Sequence, residues 1–208
     1  PLDPTQTPGE NAQRYFAKYN KQKRTFEALT ELIQETADDI QYLESISNAL
    51  DIALSEADLA QIKEELMQSG YIRRKHTKKK VKLTSKPMHY ISSDGYDMYV
   101  GKNNLQNEEL TFSFANGNDW WFHAKGAPGS HVIVKSGGDE LPDRTFEEAG
   151  RLAAYYSKNR GADKVEIDYI QKKHVKKPNG AKPGFVVYYT NYSLVIDSDI
   201  SNIKNVQD

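Results

Sequence analysis

From Asn11 onward, apolar and aromatic residues recur in alternating steps of three and four. The seam runs Ala12, Tyr15, Tyr19, Gln22, Phe26, Leu29, Ile33, Thr36, Ile40, Leu43, Ser47 and Leu50, and nine of these twelve positions are apolar or aromatic. A period of about 3.5 residues held this long predicts a coiled-coil helix, about 60 Å long at a rise of about 1.5 Å per residue. Such a seam is not buried by one helix alone, so a partner is expected from another segment or another chain. The plainer alternative is a long helix folded back onto a globular part. A second, shorter helix follows. Ser55 and Asp58 have the spacing of a capping box, Leu59, Ile62 and Leu66 supply an apolar stripe, and Gly70 stands where a C-cap belongs.

Beyond Pro87 the period changes. Runs rich in β-branched and aromatic residues fall at His89–Ser92, Met98–Gly101, Trp120–His123, His131–Lys135, Val165–Gln171, Phe185–Thr190 and Ser193–Asp197, separated by Gly, Asn and Pro. A short helix is expected over Leu105–Ala115. A clearer one opens on Thr145 and Glu148, read as a capping box, and carries Ala149, Leu152, Ala153 and Tyr156 to a stop at Gly161. Strands with few, segregated helices predict an α+β fold with a mixed or antiparallel sheet. The expected organisation is a helical segment over 1–70, a linker over 71–86 and an α+β domain over 87–208.

Charge sharpens this division. The net charge is −1, but residues 1–70 carry −7, residues 71–86 carry +8 and residues 87–208 carry −2. The linker therefore creates a local positive field in a near-neutral chain. Its cluster is Arg73, Arg74, Lys75, Lys78, Lys79, Lys80 and Lys82, and a second cluster comprises Lys172, Lys173, Lys176, Lys177 and Lys182. Charge runs are commonly no more than solvated surface. Here both are nearly free of acids, and Tyr71, Tyr169, Phe185, Tyr188 and Tyr189 lie close in sequence. Lysines neutralise phosphates and rings stack on unpaired bases, so these residues are candidate RNA contacts. The chain has no cysteine, which removes disulfides and thiolate chemistry. It opens on Pro1 without a Met, and we read it as a segment of a longer protein.

The stretch DWWFHAKGAPGSHVIV, Asp119–Val134, holds further candidates. Trp120, Trp121 and Phe122 cannot all face one side of a strand, so one or two should enter the core while another is left as a stacking platform. Gly126 and Gly129 around Pro128 read as turn residues, and their loop amides are a candidate phosphate cradle. His123 and His131, eight residues apart, face each other across that loop in the simplest hairpin. With only Asp119 nearby as a third donor, packed histidines are a better reading than a metal site, and no metal or cofactor is expected. Ser130 beside His131 lacks an orienting acid, so no catalytic role is assigned.

This stretch resembles the signature of the NFACT-R domain. The likeness continues through Asp143–Gly161 (DRTFEEAGRLAAYYSKNRG) and Val165–Tyr188 (VEIDYIQKKHVKKPNGAKPGFVVY). Asn11–Lys23 and Tyr42–Ile46 resemble the coiled-coil middle region of the same family. The motif positions are Trp120, Trp121, His123, Lys125, Gly126, Gly129, Ser130 and His131. The resemblance implies a non-enzymatic, cytoplasmic ribosome-quality-control factor that binds large ribosomal subunit RNA and tRNA and supports C-terminal tailing of stalled nascent chains. Some bacterial members carry the description fibronectin-binding, so a cell-surface adhesin for fibronectin or fibrinogen is the alternative. The unpaired seam adds self-association to the expectations.

Overall fold

The computed structural model describes residues 1–73 and 85–206. The basic residues Arg74, Lys75, Lys78, Lys79, Lys80 and Lys82 lie outside the described residues. The chain divides into two compact units, Pro1–Tyr42 and Leu43–Asp208.

Helix α1 (Pro8–Ile52) begins earlier than its apolar seam. Thr7 and Glu10 form the reciprocal pair of a capping box: the Glu10 carboxylate accepts the Thr7 N–H at 2.7 Å, and the Glu10 N–H donates to the Thr7 hydroxyl at 3.3 Å. Pro8 takes the first helical position, where its missing N–H costs nothing. Asn11 ties the lead-in down by accepting the Asp3 N–H at 2.8 Å and donating to the Asp3 carbonyl at 2.9 Å. Along this unit the seam residues Tyr15, Tyr19, Phe26, Leu29, Ile33 and Ile40 are exposed.

In the second unit the last turns of α1 bury Ile46 and Ala49. Helix α2 (Glu56–Gln68) has the capping box at Ser55 and Asp58 that the sequence predicts, and Gly70 beyond its end takes φ +82°. Its apolar stripe is narrower than expected. Ile62 is buried, but Leu59 is exposed, and the positions turned inward include the polar Asp58 and Glu65. The reason is a polar contact with α3 (Asn104–Glu109) and the two residues that precede it. Asp58 takes the Lys102 ammonium at 3.0 Å, and Gln61 accepts from Asn103 at 2.9 Å and from Gln106 at 2.7 Å.

The domain is α+β. Its strands are β1 (Met88–Ile91), β2 (Asp97–Val100), β3 (Trp120–Ala124), β4 (Val132–Val134), β5 (Val165–Gln171), β6 (Tyr192–Ile196) and β7 (Lys204–Asn205). They form an antiparallel sheet in the order β6-β5-β3-β4-β2-β1-β7. Alternation sends Met98, Val100, Phe122, Val132, Val134, Val165 and Ile167 to one face, where Ala149, Leu152 and Ala153 of α4 (Asp143–Tyr155) cover them. The other face carries Trp121, Ile133 and Ile170, covered by Leu110, Ala115 and Val175. Both faces are covered, which is why β4 is buried at every position.

Three expectations change. The pair Thr145 and Glu148 does not cap α4, which starts two residues earlier behind Pro142 without a side-chain cap. Both side chains instead hold the β1–β2 turn. The Thr145 hydroxyl donates to Asp94 at 2.8 Å, and the Glu148 carboxylate accepts the Ser93 N–H at 2.8 Å. Helix α4 ends at Tyr155, well short of Gly161, because Ser157 is drawn into a bridge with Gly129. Phe185–Thr190 is not a strand. Its one bridge pairs Val187 with Lys176, and the segment lies over the sheet, with Val186 and Tyr188 packed on the second face. The expected helix at Leu105–Ala115 is α3 followed by a π-helical turn, Leu110–Phe114.

Candidate nucleic-acid interface

The Asp119–Val134 motif is the centre of the fold. Trp121 and Phe122 are fully buried on opposite faces. Trp120 is half-buried and packs edge-on against Phe146, ring centroids 4.9 Å apart. None of the three is therefore a free platform.

The β3–β4 loop is clamped. Ser130 N–H donates to the Tyr156 carbonyl at 3.0 Å, His131 N–H to the Asn107 side chain at 2.9 Å, and Lys125 N–H to the Glu166 carbonyl at 2.9 Å. These three amides are engaged by protein acceptors. Gly126 has the positive φ, +63°, that a turn glycine supplies. Gly129 serves close approach instead, since a Cβ there would stand 3.1 Å from the Ser157 Cβ. Lys125 pairs with Glu166 at 2.6 Å on the surface.

His123 and His131 do meet, ring centroids 5.4 Å apart. Among the described residues, no group of three His, Cys, Asp or Glu side chains is placed to hold a metal ion. His131 Nδ1 shares a 2.7 Å hydrogen bond with the Thr111 hydroxyl. Burial pushes the His123 pKa down to about 4, against the hydrogen bonds it makes to backbone and the charge of Asp168. Burial and the neighbouring His123 push His131 well below the ordinary histidine range. Asp168 is buried beside them, with its oxygens satisfied by Ser193 at 2.6 Å and Tyr188 at 3.0 Å.

The second lysine cluster starts on a 3-10 turn, Lys172–His174, directly after β5. Its backbone is pinned to the loop preceding β3, with Lys172 N–H on the Asp119 carbonyl at 2.8 Å and Lys173 N–H on the Gly117 carbonyl at 2.9 Å. The Lys172 ammonium lies 5.9 Å from the centre of the Phe112 ring. Lys176 N–H donates to the Val187 carbonyl at 2.9 Å, which fixes the strand-like start of the following loop. The cluster is less uniform than its sequence. The fold brings Glu108 to Lys177 at 2.7 Å, and Lys182 donates to the Tyr71 hydroxyl at 2.9 Å. Nearby rings are exposed: Phe185, Tyr189 and Tyr192, with Tyr189 at 74%. Arg73, the one described member of the linker cluster, is exposed.

Some groups near this surface were not singled out from the sequence. Lys135 forms a tight ion pair with the buried Asp119 and sits 4.8 Å from the centre of the Phe114 ring. Tyr99 stacks on His89. The pairing of alternate positions on β1 and β2 was implicit in the strand pattern, but the π turn that brings Phe112 and Phe114 alongside has no periodic signature.

An antiparallel sheet with both faces covered, bordered by lysines and exposed rings, defines an α+β domain with a basic, partly aromatic edge. Comparison with known proteins gives that class a family. Residues 86–190 match the model of the NFACT protein RNA binding domain, and residues 1–85 match that of the NFACT N-terminal and middle domains. The chain belongs to the NFACT family. It is 45% identical over 207 residues to a protein described as Rqc2 homolog RqcH from Streptococcus pneumoniae, covering 99% of this chain and 37% of that protein. It is 41% identical over 208 residues to the Rqc2 homolog RqcH of Bacillus subtilis, covering 98% of this chain and 36% of that protein. The chain thus spans little more than a third of the length of these relatives. Among solved structures it resembles the C-terminal part of the fibronectin/fibrinogen-binding protein from Streptococcus suis, with a TM-score of 0.85 and 44% identity over 94% of this chain and 78% of that one. Among the described residues, no helix is long and apolar enough to cross a membrane.

Proposed function

We propose that this chain is the RNA-contacting, non-enzymatic part of a ribosome-quality-control factor. Its ligands are RNA of the large ribosomal subunit and tRNA, and its place of action is the cytoplasm, during tailing of stalled nascent chains. The observation that carries this reading is the match of residues 86–190 to an RNA-binding domain in which Lys172, Lys173 and Lys176 lead directly off the sheet. Residues 1–70 serve as the helical arm of this module, and residues 71–86 and 87–208 supply its phosphate contacts, including Arg73, Arg74, Lys75, Lys78, Lys79 and Lys80. The motif residues Trp120, Trp121, His123, Ser130 and His131 act by building the sheet and its loop.

A salt titration tests it. Binding of single-stranded RNA should weaken as salt rises, with a log–log slope of about 0.7 per phosphate neutralised. Replacing Lys172, Lys173, Lys176 and Lys177 together by Gln should lower the slope and weaken all RNAs alike. Fibronectin binding would rest on apolar and aromatic anchors and respond little to salt. No RNA binding at low salt, with fibronectin bound by wild type and the four-Lys variant equally, overturns the RNA reading in favour of a fibronectin-binding adhesin.

A further inference from the structure

A groove of about 310 Å³ opens on the second face of the sheet, lined by Lys86, His89, Tyr99, Glu109, Leu110 and Phe114. That size stands at the small end of ligand pockets, which run from about 300 to 1,000 Å³, and suits a single base with its ribose. Its walls are organised. His89 and Tyr99 are direct partners across β1 and β2, and their rings stack with centroids 4.5 Å apart and planes 2° apart. Asp97 holds His89 through Nε2 at 2.6 Å, and Phe114 meets Tyr99 edge-on at 4.7 Å. Phe114 is 41% exposed and is delivered by the π-helical turn. Such turns are uncommon and concentrate at functional sites. The result is a pre-built aromatic surface at the edge of the second hydrophobic cluster, against which Tyr99 packs, of the kind on which unpaired bases stack.

Glu109 is the discriminating group. It is exposed on the rim of this groove, and among the described residues its carboxylate takes neither a hydrogen bond nor an ion pair. A carboxylate offers two acceptors side by side and no donor. Guanine alone among the RNA bases presents two adjacent donors, N1–H and N2–H, on its Watson–Crick edge. Adenine and cytosine set one donor beside an acceptor, and uracil flanks its single donor with two carbonyls. Each of these three would turn a lone pair toward Glu109. The ammonium of Lys86, on the same rim, supplies the charge that an attached phosphate needs.

We propose that this groove binds one unpaired guanine of single-stranded RNA, stacked on the exposed Phe114 ring beside Tyr99 and paired through N1–H and N2–H with Glu109. The proposal rests on the RNA-binding reading and adds base selectivity to it. The test is fluorescence anisotropy of the whole chain with labelled U8 and with the same octamer carrying one central G, A or C. Wild type should bind the guanine octamer about tenfold tighter than U8, the discrimination expected of one bidentate base contact. A and C should give no such gain. Glu109→Gln, at an exposed position, should abolish the guanine preference and leave U8 binding unchanged, and Phe114→Leu should weaken the guanine octamer more than U8. Binding of all four octamers with equal affinity, or a preference that survives Glu109→Gln, overturns the guanine site and leaves the RNA reading standing. Failure to bind U8 or any other octamer at low salt overturns both.

Discussion

His123 and His131 meet edge to face, with ring centroids 5.4 Å apart and planes at 88°. Both are held neutral by burial, His123 down to about 4 and His131 well below its ordinary value. In the unfolded chain each titrates near 6.5. As pH falls through 6.5 the unfolded state takes up protons first, so stability is complete at neutral pH and declines between 6.5 and 4. For His123 the loss is about 2 kcal/mol, allowing for the partial exposure of the ring. Urea unfolding across this range should show the decline, and His123→Phe should flatten it.

Asp58 and Lys102 form an enclosed ion pair linking α2 to the sheet domain. Their side chains are 1% and 11% exposed and 3.0 Å apart. Burial alone would raise the Asp58 pKa, but hydrogen bonds with Ser85, Lys102, the Leu54 backbone and Ser55 prevail and bring it down to about 2. Its contribution is present above the unfolded value near 3.9 and is lost as pH falls through 2. Asp58→Ala removes the α2 cap and leaves the Lys102 ammonium without its partner. Equilibrium unfolding at pH 7 should show a loss of about 3 kcal/mol or more, whereas Leu59→Ala, at an exposed position, should change stability by less than about 0.5 kcal/mol.

Lys173 and Lys177 belong to one run in the sequence but differ in the fold. Lys177 is paired with Glu108, and the structure gives the Lys173 side chain no acidic partner among the described residues. Lys173→Gln should lower the salt slope of RNA binding by about 0.7, the value for one phosphate on a single strand. Lys177→Gln should lower it less, and Glu108→Gln, which releases Lys177, should raise it. Anisotropy titrations of the three variants at several salt concentrations order them.

Phe26, Ile33 and Ile40 lie on the same seam of α1, exposed by 72%, 68% and 56%. A contiguous apolar stripe of this kind seeks burial. The isolated chain should self-associate through it, with an antiparallel dimer as the expected form. Sedimentation equilibrium should give a mass above 23.6 kDa that returns to the monomer value on replacing Phe26, Ile33 and Ile40 by Ser. A monomer in the unsubstituted chain would show that this face stays open without a partner.

Periodicity alone determined a good deal of this protein. The seam from Ala12 to Leu50 gave α1, the Ser55–Asp58 spacing gave the start of α2, and β5 falls over the run Val165–Gln171 that its β-branched residues mark. These are local signals, written by which side chains must share a face, and the α+β class follows from their order. The Asp119–Val134 motif was legible as a signature, but its role was not. Tertiary packing decided that Trp121 and Phe122 fill opposite cores and that the Ser130 and His131 amides bond to Tyr156 and Asn107. The same holds for Thr145 and Glu148, whose spacing mimics a cap while their oxygens serve a turn more than fifty residues away. Spacing along a chain cannot distinguish a donor supplied by the next turn of helix from one supplied by a distant strand. For the same reason the lysine run looked uniform until Glu108 was brought to Lys177, and the groove beside Tyr99 exists only because a π turn and two strands converge on it.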